Sequence, residues 1–146
     1  MFGYSTLGFG SYHNRGISAV YIVDDDGTQD SITAVVTGMG TADVAVGEQV
    51  IVPEGSTTTV KAYSQVVGGS PSYSYLWAYT EGNDPLNVVA PSATSSTSQN
   101  WTDLVFTAVA GRAGSMVEGC QLDLRVTDAN GSVKFAQTFE FAIQLL

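Results

Sequence analysis

Two side chains that could act as a nucleophile or a general base occur only once each in this chain, His13 and Cys120. A hydrolase triad would have to route every proton through His13. That residue sits among Gly8, Gly10 and Gly16, a setting unable to hold an imidazole to the tenths of an ångström that catalysis needs. One Cys and one His also fall short of the several N and S ligands of a zinc site. Asp24, Asp26, Thr28 and Asp30 alternate as in an EF-hand loop. The detail does not follow: Gly27 stands fourth in such a loop instead of sixth, and Val35 occupies the place of the bidentate glutamate. A solvated acidic turn is the expectation there, with no metal. Carboxylate pairs for glycoside hydrolysis can be drawn anywhere among 14 acidic residues, and none has a distinguishing context. The residue types point away from an enzyme and from any cofactor.

Tyr73, Tyr75 and Tyr79 could stack on sugar rings, but they alternate with Trp77 on one face of a strand and are expected to pack in a core. Asn100-Trp101-Thr102 and Asn130-Gly131-Ser132 match the glycosylation pattern. No basic segment followed by an apolar run opens the chain, so a secretory leader is not expected, and both matches are discounted. The net charge of −9, from 5 basic against 14 acidic residues, argues against nucleic acid and against anionic membrane surfaces, since both are bound through Lys and Arg. No apolar run approaches the roughly 18 residues of a spanning helix.

With 146 residues, 44% hydrophobic, 13% charged and 16 glycines, the chain has a β-rich character and can bury about two-thirds of its unfolded surface. The clearest elements lie at the C-terminal end. Cys120, Leu122, Leu124 and Val126 fall on one face of a period-2 strand, and Gln121, Asp123, Arg125 and Thr127 on the other. Asn130-Gly131 then predicts a type I′ hairpin turn. Beyond it Val133, Phe135, Phe139, Phe141, Ile143 and Leu145 resume the apolar set on odd positions, with Gln137 the polar exception.

This passage resembles the last hairpin of immunoglobulin-like domains of the PKD and bacterial Ig-like kind, in which an alternating strand ends Val-Thr-Asp before an Asn-Gly turn. Val67-Gly68-Gly69-Ser70-Pro71-Ser72-Tyr73-Ser74-Tyr75-Leu76-Trp77 is similar to the family's turn into its central strand. The resemblance covers roughly residues 44 to 146. It implies an all-β, Greek-key sandwich with Trp77 as the core tryptophan, the Leu122–Val126 face on the other sheet, and Phe139 in the same core. Cys120 stands where the family has a corner tyrosine, so it is expected to pack as a small hydrophobe, and a single cysteine permits no inter-sheet disulfide. The acidic Gly-Asp-Gly of PKD domains is replaced by Thr80-Glu81-Gly82-Asn83-Asp84-Pro85.

Further strands are expected over 44–52, broken by Gly47, and over 57–67, 73–80 and 101–110, with a short one at 86–89. Upstream, Ile17–Val23 and Ser31–Thr37 read as strands flanking the acidic loop, a hairpin that either joins the sandwich or forms a separate docking element. Gly38-Met39-Gly40-Thr41 reads as a linker and favours the second, dividing the chain into residues 1–40 and 41–146. Phe2, Tyr4, Phe9 and Tyr12, spaced by Gly3, Gly8 and Gly10, read either as a frayed end or as an arm ordered on a neighbour; the aromatics favour the arm.

Sandwiches of this class without a leader or disulfide are common, by resemblance, in tailed-phage particles. The expectation is a non-enzymatic virion protein, a capsid decoration protein bound to the major capsid protein or another virion protein, with self-association open. The alternative is a tail-associated or cell-surface Ig-like module for adhesion or carbohydrate binding.

Overall fold

The computed structural model describes residues 16–81, 87, 89–91 and 100–146. These form eleven strands: β1 (Ile17–Val23), β2 (Ser31–Val36), β3 (Gly40–Ala45), β4 (Gln49–Val52), β5 (Thr57–Gly68), β6 (Ser74–Thr80), β7 (Val89–Pro91), β8 (Trp101–Ala108), β9 (Met116–Thr127), β10 (Val133–Phe135) and β11 (Phe139–Leu145). Among the described residues no helix is long and apolar enough to cross a membrane. The chain is an all-β sandwich of two packed sheets. One has the order β3-β2-β5-β8-β7, with β1 also on β5; the other has the order β10-β9-β11-β4, with β6 also on β9.

Each sheet is organised by a twelve-residue strand, β5 in one and β9 in the other. At about 3.3 Å per residue such a strand offers an edge of roughly 40 Å, enough for two short partners end to end. β1 pairs with the far half of β5 (Ile17↔Gly68 to Val23↔Tyr63) and β2 with the near half (Thr33↔Lys61 to Val36↔Thr58). In the same way β10 lies along Arg125–Thr127 of β9 and β11 along Met116–Leu122. β6 holds the opposite edge of β9, with Trp77 directly across from Leu124.

Alternation then fills the space between the sheets. Val60 and Ala62 of β5, Leu104 and Phe106 of β8, Trp77, and Leu122, Leu124 and Val126 of β9 are all fully buried. Tyr79, Phe106, Phe139 and Phe141 form a chain of aromatic contacts with centroids 5.4–6.5 Å apart, within the range that edge-to-face pairs favour. A buried polar group also ties the layers together: Thr58 of β5 donates its hydroxyl to the Ile51 carbonyl of β4 at 2.7 Å.

Several local expectations are corrected. β1 and β2 run in the same direction along β5, so they are not the two arms of a hairpin, and residues 24–30 are an excursion between them. Nor are they a docking element apart from the sandwich, because Ile17, Val20, Ile22, Ile32 and Ala34 belong to the common core. Their apolar faces require that cover. The expected linker is the turn of a β2–β3 hairpin, in which the Met39 N–H donates to Val36 O at 3.0 Å. The boundary expected at residue 40 therefore falls inside a sheet. The strand expected over 44–52 is two strands on different sheets. The chain crosses between them at Gly47, whose φ of 84° is open to glycine at little cost.

Trp77 and the Leu122–Val126 face, expected on different sheets, lie on adjacent strands of one sheet and project to the same side. The Asn130-Gly131 turn is not type I′. Among residues 129–131 only Gly131 has positive φ, at 86°, and the Gly131 N–H donates to Asp128 O at 3.1 Å. This is a type I turn closed by a left-handed glycine, the three-residue hairpin loop. Lastly, Val133 and Phe135 are 50% and 63% exposed. The odd-position register breaks between β10 and β11 at Ala136, which turns inward instead, so Phe139, Phe141, Ile143 and Leu145 alone continue the core.

Candidate interaction surface

The arm residues Phe2, Tyr4, Phe9 and Tyr12, and also His13, lie outside the described residues. The structure does describe where the chain enters β1. The Ile17 N–H donates to Ser132 Oγ at 3.1 Å, which ties the start of β1 to the β9–β10 turn. That turn is built on Asp128, only 5% exposed. One carboxylate oxygen accepts the N–H groups of Asn130 (3.0 Å) and Ser132 (2.8 Å), and the other accepts the Ser70 N–H at 2.9 Å from the loop after β5. Gly69 fits between Ile17 and Asp128: a Cβ there would meet Ile17 Cγ1 at 2.8 Å. One buried carboxylate thus gathers two loops and, through Ser132, the start of the first strand.

The Ser70 N–H, opposed by desolvation and reinforced by the N–H groups of Ser132, Asn130 and Gly131, holds the Asp128 carboxyl below its ordinary value of 3.8. A carboxyl with a depressed folded pKa stabilises the fold above its unfolded value, and that contribution is lost as pH falls through the folded value. Asp128→Asn is therefore expected to lower the melting temperature at neutral pH. The gap to the parent protein should close only below about pH 3.8. A gap that stays constant down to pH 2 would contradict the role given to the charge.

Cys120, the single cysteine of the chain, is buried, and its Sγ lies 3.8 Å from the Val117 carbonyl. Trp77, Leu122, Leu124, Val126 and Phe139 share its core cluster. The Tyr79 hydroxyl donates to Glu81 Oε1 at 3.1 Å. Burial, followed by a hydrogen bond with Cys120 and the nearby Glu81 charge, pushes its phenol far above the ordinary range, so the group is a structural donor. Tyr73 and Tyr75 pack half-buried against the core.

Asp24, Asp25 and Asp26 each bring a carboxylate oxygen within 4.8 Å of the others. Asp24, nearly fully buried, uses Oδ1 to accept the N–H groups of Asp26 and Thr28, both at 2.9 Å. It closes the loop on itself, while Asp25 and Asp26 point into solvent. Although Asp43 of β3 is exposed, partial desolvation and then repulsion from Asp24, Asp26 and Asp25 raise its carboxyl above the ordinary range.

A feature that sequence reasoning missed lies on the outer face of the β6-β9-β10 sheet. Register places Leu76, Arg125 and Phe135 in one row across the three strands, and Ser74, Thr127 and Val133 in the next. A shallow cavity of about 200 Å³ opens there, lined by Ser74, Tyr75, Leu76, Arg125 and Thr127. The nearest acid along the same strand face, Asp123, instead accepts the Thr138 hydroxyl. Only the break in register at Ala136, invisible as a change in alternation, exposes Phe135 beside the guanidinium. No protein-family model matches the chain, and no curated protein matches it.

Proposed function

We propose that this protein is a non-enzymatic structural component of a bacteriophage particle, a decoration protein that binds the assembled capsid through its N-terminal aromatic segment. The observation that carries this reading is the position of that segment. Described residues from Ile17 to Leu145 build one continuous core, and the chain carries Phe2, Tyr4, Phe9 and Tyr12 upstream of its first strand. Aromatic side chains are the kind that anchor interfaces, and the Asp128–Ser132 hub fixes the described point at which the chain enters β1.

The sandwich is read as Ig-like. What supports this reading is the strand order, with β1 and β2 beside β5-β8-β7 and facing β6-β9-β11, which can be aligned with the A-B-E-D and C-F-G sheets of that fold if β3 and β4 are additions. Bound to the shell alone, such a protein would stabilise the assembled state by mass action. The exposed row at Arg125 favours a second reading, a tail-associated or cell-surface binding module. Affinity purification of the tagged full chain from phage-infected cells is expected to recover the major capsid protein. Recovery of tail proteins without capsid protein would replace the first reading by the second.

A further inference from the structure

The surface carries two unneutralised features of opposite charge. The Arg125 side chain has no hydrogen bond or ion pair among the described residues. It stands exposed on the outer sheet face between Leu76 and the 63% exposed Phe135, a cation set in an apolar row beside an open groove. Such an arrangement, a planar bidentate donor flanked by apolar and aromatic side chains, is typical of the energetic centre of a protein interface. The acidic excursion is its complement. Asp25 and Asp26 project from the sheet edge at the tip of a loop closed from within by buried Asp24, with Asp43 nearby. None of the three exposed carboxylates has an ion pair among the described residues, and desolvation, followed by repulsion from Asp24, Asp26 and Asp25, raises the Asp43 carboxyl.

We propose that the acidic loop of one copy, through Asp25 and Asp26, docks on the Arg125 row of a second copy. The loop lies on the edge of one sheet and Arg125 on the outer face of the other, so the two patches are different surfaces and the contact is heterologous. Such contacts propagate head to tail into a ring or an open array. The contact places a carboxylate pair against a guanidinium partly sheltered by Leu76 and Phe135, where salt screens it less than it would a fully exposed pair. This inference concerns the chain by itself and stands or falls without reference to the capsid reading.

The test is sedimentation velocity on the purified full chain over a concentration series, with Arg125→Glu, with the double substitution Asp25→Lys and Asp26→Lys, and with an equimolar mixture of the two variants. The parent protein is expected to self-associate. Each variant should keep the parental melting temperature and associate at least about tenfold more weakly. In the mixture the intact acidic loop of the Arg125→Glu chain meets the intact Arg125 of the double variant, and association should return in a variant-to-variant species. A parent that is monomeric at all concentrations would overturn the proposal. So would variants that associate like the parent, or a mixture that stays as weak as its components.

Discussion

Replacing Trp77 by alanine is expected to remove roughly 3–5 kcal/mol of folding stability, measured as a shift in the urea unfolding midpoint at unchanged slope. The indole is fully buried at the centre of β6, lies directly across from Leu124, and faces the β5-β8 layer of the opposite sheet. Two effects add: the lost transfer free energy of the side chain, and the cavity that neighbours held by sheet hydrogen bonds cannot collapse to fill. Domains of this size have only about 5–15 kcal/mol of net stability, so the variant should be marginal at body temperature. Trp101, half-buried on β8, still reports unfolding by fluorescence in that variant. A midpoint within error of the parent would mean that Trp77 does not fill the core as placed.

The alternation of β9 and β11 was readable because one face of each strand is buried and the other wet, so Leu122, Leu124, Val126, Phe139 and Ile143 announced both their strand and its inner side. Pairing was less legible. Ile17–Val23 and Ser31–Thr37 look like hairpin partners because near neighbours in sequence usually pair. Nothing local reveals that β5 is long enough to accept both on one edge. The start of β9 was hidden for a different reason. A bulge near Gly119 turns both Val117 and Cys120 inward, which breaks the period of two that would have marked the strand. The Asn-Gly turn misled because Asp128, in supplying a carboxylate to three backbone N–H groups, stabilises a different turn than the dipeptide alone would choose. Of the candidate site, the aromatic segment upstream of Ile17 is read from the sequence alone and lies outside the described residues. The Arg125 row was not legible, since Leu76, Arg125 and Phe135 are far apart in sequence and meet only through register.

The second large effect is expected from deleting residues 1–15. Among the described residues the core cluster begins at Ile17, and the hydrogen bond from the Ile17 N–H to Ser132 Oγ remains available to the shortened chain. The far-UV spectrum and melting temperature should therefore change little. Attachment should be lost, because the deletion removes all four aromatics that would act as buried anchors, and truncating even one such anchor typically costs an interface 2 kcal/mol or more. Stability and attachment are thus expected to separate cleanly in one variant, whereas Trp77→Ala should damage both.

The most direct measurement of that separation is co-sedimentation with purified capsids lacking the protein, using the full chain and the chain without residues 1–15 at equal concentration. The full chain should pellet with the shells to a saturating stoichiometry, while the shortened chain, folded and with its melting temperature intact, should stay in the supernatant. If the shortened chain saturates the shells as the full chain does, the aromatic segment is not the attachment element, and docking must be assigned to the sandwich itself.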